Sequence, residues 1–143
     1  MKVRDVLLAK GRHVYSVCPD DSIQDVVRVL MAHRIGALLV IDADGITRGI
    51  VTERDVLREC LDSADRLDEV CVKAAMTTDL VVGLLDDDVD YAMGIMTKHR
   101  IRHLPIMDAG RVVGLISIGD AVKTTLDETA YENGFLREYI QGR

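Results

Sequence analysis

Residues 33–55, HRIGALLVIDADGITRGIVTERD, and residues 99–120, HRIRHLPIMDAGRVVGLISIGD, are two versions of one segment. His33-Arg34-Ile35 recurs 66 positions on as His99-Arg100-Ile101, Leu38 as Leu104 and Asp42 as Asp108. The second copy is one residue shorter in its turn, so Gly45, Gly49 and Asp55 recur 65 positions on as Gly110, Gly114 and Asp120. Upstream, Asp20-Asp21 recurs as Asp86-Asp87. Matches held in register over such a stretch identify an internal duplication.

Both copies also share a physical pattern. Ser22 is placed to cap a helix whose apolar face is Ile23, Val26, Val27, Leu30 and Met31. In the second copy Asp88 takes the cap position and Val89, Ala92, Met93 and Met96 form the stripe. Gly94 lies inside that helix and costs it about 1 kcal/mol relative to Ala. Each helix is followed by a strand-like run, Ala37–Ile41 or His103–Met107, then a turn at Asp42–Gly45 or Asp108–Gly110. Pro105 has no N–H to give to a ladder, which predicts a place at a strand start or edge. A second strand, through Gly49-Ile50-Val51 or Gly114-Leu115-Ile116, leads into another helix. The expected fold is mixed α/β (α+β), built from two tandem helix–strand–turn–strand–helix repeats. Each sheet is too small to bury a core alone, so the copies are expected to pack with pseudo-twofold symmetry. The expected division is residues 1–65, residues 66–126 and a helical tail at 127–143.

Composition bounds the function. The chain has 143 residues, 48% of them hydrophobic, which suits one compact domain or two half-domains. A formal charge of −6 disfavours nucleic acid as a partner, because phosphate backbones are held by surplus Lys and Arg. No apolar run approaches the roughly twenty residues that span a bilayer. The opening Met1-Lys2-Val3-Arg4-Asp5 reads as neither a secretion signal nor a transit peptide, so a cytoplasmic protein without membrane association is expected. Cys18, Cys60 and Cys71 are odd in number and form no C-x-x-C pair, consistent with three buried, reduced thiols.

The order of elements, with RIGALLVIDADGITRGIVTERD and RIRHLPIMDAGRVVGLISIGD, strongly resembles the CBS domain, named for cystathionine β-synthase. The resemblance covers residues 1 to 126 and is specific, since both copies carry the strand ending in Asp and the closing G-h-h-[ST]-x-x-D element. It implies a free-standing CBS pair (Bateman module) with two clefts between its repeats. Such clefts often hold AMP, ADP, ATP or S-adenosylmethionine. It also implies a homodimer and a regulated protein partner, with no cofactor required.

Thr52-Glu53-Arg54-Asp55 and Ser117-Ile118-Gly119-Asp120 are the first candidates for binding. Each hydroxyl stands where a strand enters a helix, whose free amides and dipole suit an anion. The carboxylate of Asp55 or Asp120 can accept from ribose hydroxyls, and these are the roles the resemblance implies for both positions. The same pattern is also a capping box that needs no ligand. Before the strands the copies differ. Arg102-His103 is similar to a basic pair that contacts phosphate in nucleotide-binding members, whereas Gly36-Ala37 supply no charge but leave room for a flat adenine. Arg54 adds a cation that its counterpart Gly119 lacks. The two sites are therefore expected to be unequal.

Other chemistry finds little support. His99 and His103 are four apart, but residues 101–107 read as strand, so no metal site is expected. No Ser or Cys has a convincing base partner, so no catalysis is expected. Asp86-Asp87-Asp88 reads as a solvated loop and cap. Tyr131, Phe135 and Tyr139 form an aromatic stripe suited to an interface. A ligand-free dimeric scaffold acting through its dimer face and this tail is the alternative function.

Overall fold

The computed structural model describes residues 1–128. Its elements are α1 (Val3–Lys10), β1 (Ser16–Val17), α2 (Ile23–His33), β2 (Ala37–Ile41), β3 (Thr47–Thr52), α3 (Glu53–Ser63), α4 (Val72–Ala75), β4 (Gly83–Leu84), α5 (Val89–His99), β5 (His103–Asp108) and β6 (Arg111–Ser117). Residues 118–128 follow as helix α6. The mixed α/β fold contains two three-stranded sheets of one design, β1-β2-β3 and β4-β5-β6. In each, a two-residue first strand runs parallel to the central strand, which pairs antiparallel with the third. The aromatic stripe at Tyr131, Phe135 and Tyr139 lies outside the described residues.

The chain groups into two units, one of residues 13–81 and one joining residues 1–12 to residues 82 onward. Spatial units and sequence repeats therefore divide the chain differently. Each unit takes a helix from the segment that precedes the other unit's repeat. In the unit of residues 13–81, α4 is bound in by Val72 N–H to Asp21 O (2.8 Å) and by Ile23 N–H to Val70 O (2.9 Å). Val72 joins Val17, Ile23, Val26, Leu30, Leu38, Val40 and Val51 in the core. The other unit repeats the arrangement with α1: Val3 N–H donates to Asp87 O (2.9 Å) and Val89 N–H to Met1 O (3.0 Å). Its buried residues include Val3, Val6, Leu7, Leu104, Ile106 and Ile116.

Two glycines permit this packing. A Cβ on Gly114 would lie 2.7 Å from Leu7 Cδ2, and one on Gly49 would lie 2.6 Å from the Thr77 carbonyl and 3.0 Å from Met76 Sδ. The strand after each turn thus presents bare backbone to the segment laid across it.

Four expectations need correction. Ile23, Val26 and Leu30 are buried as expected, but Met31 is 75% exposed, because the buried stripe is narrower than the sequence periodicity suggested. Asp88 stands at the N-cap of α5 by backbone geometry, yet its side chain makes no capping bond and pairs with Lys2 at 2.8 Å. Pro105 lies inside β5, the central strand. It is tolerated there because β4 pairs only with Ile106 and Met107, whereas β1 pairs with Leu39, the counterpart of Pro105, and with Val40. Leu39 N–H donates to Tyr15 O (3.3 Å), a bond that proline cannot make. The cysteines are free but not buried: Cys18 is exposed, and Cys60 and Cys71 are half-exposed.

Candidate functional site

The sequence candidates converge on two strand-to-helix junctions, one in each unit. At the first, Ala37 opens β2 directly opposite Thr52, the last residue of β3. Gly36 O accepts from Glu53 N–H at 3.1 Å, which ties the start of α3 to the entry of β2. Gly36, Ala37, Thr52 and Asp55 are thereby brought together, while Arg54 is an exposed residue of the first turn of α3. Thr52 and Asp55 form a reciprocal cap. Asp55 N–H reaches Thr52 Oγ1 at 3.4 Å, and Thr52 N–H donates to Asp55 Oδ2 at 2.9 Å.

Asp55 is 5% exposed and is the buried charged residue among those described. Its other oxygen, Oδ1, accepts from Arg58 Nη1 at 3.3 Å. An unpaired carboxylate in this position would be costly, and the cap and Arg58 together compensate it.

The second junction has the same frame. His103 opens β5 opposite Ser117, and Arg102 O accepts from Ile118 N–H at 2.8 Å. Ser117 N–H donates to Asp120 Oδ2 at 2.8 Å and Asp120 N–H donates to Ser117 Oγ at 3.0 Å. Arg102, His103, Ser117 and Asp120 are thus adjacent, with the Arg102 side chain exposed. Here the carboxylate has a partner from far away in sequence. Lys10 Nζ, at the end of α1, lies 2.6 Å from Asp120 Oδ2 and 2.6 Å from Leu115 O. Burial works to raise the Asp120 carboxyl, but the Lys10 ammonium and the Ser117 amide outweigh it and hold the group below the ordinary carboxylate value.

Sequence inspection missed Lys10 and Arg58. Arg58 was legible in principle, as a cation three residues after Asp55 on one helix face. Lys10 left no local signal. The Asp86-Asp87-Asp88 run also has a structural use: Arg4 pairs with Asp86, Lys2 with Asp88, and Asp87 Oδ2 accepts from Leu84 N–H at 2.8 Å. The Lys2 and Arg4 pairs, with the bond from Val3 N–H to Asp87 O, clasp the start of α1. Among the described residues no group of His, Cys, Asp or Glu is arranged to hold a metal ion, and no helix is long and apolar enough to cross a membrane.

A duplicated α/β module with an Asp-anchored strand-to-helix junction in each copy defines a tandem pair of small domains. The CBS domain family matches this chain at residues 3–62 and again at 72–127. The CBS domain-containing protein YhcV of Bacillus subtilis is 34% identical over 82% of this chain and 83% of its own length. The crystal structure of the CBS-domain-containing protein ATU1752 from Agrobacterium tumefaciens superposes with a TM-score of 0.83 at 43% identity, over 85% of this chain and 91% of that one. The CBS domain pair of protein MJ0100, solved in complex with 5′-methylthioadenosine and S-adenosyl-L-methionine, shares the fold with a TM-score of 0.78 at 23% identity, over 90% of this chain and 98% of its own. The chain belongs to the CBS domain family and carries two copies of the domain.

Proposed function

We propose that this CBS pair is a non-catalytic regulatory module that binds an adenosine-containing ligand, with AMP, ADP, ATP and S-adenosylmethionine as the candidates. The observation that carries this is the duplicated junction. In both units a carboxylate is fixed at a helix start by a reciprocal cap, beside the first residue of the central strand. A fixed carboxylate suits a ribose diol, and the amides of the first helical turn suit a phosphate. Gly36 and Ala37 leave an uncharged approach to the first junction, whereas Arg102 and His103 bring basic groups to the second, with Arg54 as the added cation of the first. The adenosyl ligands bound by the MJ0100 pair support the same ligand class.

Calorimetry and thermal shift with the four candidate ligands test this directly. Charge-assisted hydrogen bonds contribute roughly 1.5–3 kcal/mol, so Asp120→Ala is expected to weaken binding about 10- to 100-fold. The absence of both heat and a thermal shift with all four ligands would overturn it.

A second copy of the chain is the proposed partner, beside a regulated protein. Leu57 and Leu61 on α3 are exposed, and so are Val122 and Leu126 at the equivalent positions of α6. Apolar pairs repeated on both helices suit a self-complementary interface. Sedimentation is expected to give a dimer, and Leu61→Glu with Leu126→Glu a monomer. A monomeric wild type would exclude it. The ligand-free scaffold reading keeps the same face, and predicts that Asp55→Ala and Asp120→Ala leave partner capture intact.

A further inference from the structure

Lys10 precedes both copies of the quoted segment, yet its ammonium donates to Asp120 and to the β6 carbonyl of Leu115, each at 2.6 Å. Ser117 N–H donates to the same carboxylate oxygen, Oδ2. Among the described residues Asp120 Oδ1 takes no hydrogen bond, so it keeps its accepting capacity while Oδ2 is held by two donors. Asp55 is arranged differently. Thr52 occupies its Oδ2 and Arg58 its Oδ1, and both partners lie within three residues. The second junction thus has an oriented acceptor with one free oxygen, and the first does not.

We propose that Lys10 is a positioning residue for the second junction: it orients Asp120 to accept a ribose hydroxyl through Oδ1, and so couples ligand binding there to the docking of α1. This rests on the adenosine-ligand reading above. A carboxylate already fixed at Oδ2 loses little freedom on accepting a further hydrogen bond, which is preorganisation in its simplest form. The other end of α1 is clasped by Lys2–Asp88 and Arg4–Asp86, and Leu7 fills the space over Gly114. A ligand that favours the Lys10-held carboxylate must therefore favour docked α1, and docked α1 must favour the ligand by the same factor. Arg58 gives Asp55 no such link, because it belongs to α3 itself.

The test uses the full chain, as wild type, Lys10→Met, Lys10→Arg and Asp120→Ala, titrated with AMP and with S-adenosylmethionine. Lys10→Met is expected to weaken binding of whichever probe the wild type takes by about 3- to 30-fold, the range of coupling through a single contact. Lys10→Arg is expected to restore most of that loss. Amide exchange at residues 7–11 should slow when the probe is added to wild type and stay unchanged in Lys10→Met. A purely structural ion pair would lower the unfolding midpoint and leave affinity as it was. Wild-type affinity in Lys10→Met, tighter binding, no rescue by Lys10→Arg, or ligand-independent exchange in wild-type α1 would each overturn the coupling while the adenosine reading stands. If wild type binds neither probe nor ADP nor ATP, the adenosine reading fails and the coupling falls with it.

Discussion

Arg34 and Arg100 end α2 and α5 in the left-handed region, at φ of 54° and 55°. Their amides close the helices by bonding Leu30 O and Met96 O. A side chain with a Cβ is strained in that conformation, and glycine relieves the strain. Arg34→Gly or Arg100→Gly is expected to stabilise the chain by about 0.5–1 kcal/mol, visible as a higher thermal midpoint. An unchanged or lowered midpoint would mean that the arginine side chains contribute more than their backbone strain costs. The caps at Thr52 and Ser117 show how far local reasoning reaches. Residues three apart at a helix start find each other through the chain itself, so the Thr52–Asp55 and Ser117–Asp120 bonds were legible as capping boxes. Whether the same atoms take a ligand is not a local matter, and Asp120→Ala addresses it.

At the scale of elements, the long amphipathic helices and the β2–β3 and β5–β6 hairpins followed from periodicity and turn residues. Ile23, Val26 and Leu30 on α2, and Val89, Ala92 and Met96 on α5, are the faces that packing buries. The two-residue strands β1 and β4 were not foreseen, because two residues show no alternation. They exist through parallel pairing with β2 and β5. Helix α4 is four residues long and carries too little pattern to announce itself. Its place is decided by Val72, which is fully buried, and by the Ile50–Thr77 bridge, with 2.9 Å bonds in both directions. Gly49 leaves room for that crossing just as Gly114 leaves room for Leu7.

For the whole molecule, the consequential feature is that each unit's packing is completed by a helix from outside its own repeat. A fragment of residues 1–65 lacks Val70, Val72 and Thr77, and so loses the bonds they make to Ile23, Asp21 and Ile50. A fragment of residues 13–81 keeps all of these and the whole of its apolar core. Circular dichroism is expected to show cooperative unfolding for residues 13–81 and none for residues 1–65, since a domain of that size has little core to spare. Equal behaviour of the two fragments would show that the exchanged segment contributes little.

Duplication, fold class, helix faces, hairpins and the two capping junctions were determined by the sequence itself, because each is written in contacts between near neighbours or in a repeat that can be aligned. Tertiary structure alone decided that α1 completes the unit of the second repeat, that Asp86, Asp87 and Asp88 hold its start, and that Lys10 reaches Asp120. Those pairings join residues some eighty to a hundred and ten positions apart. Their energy depends on the chain having already folded, so nothing in the local order of residues records them.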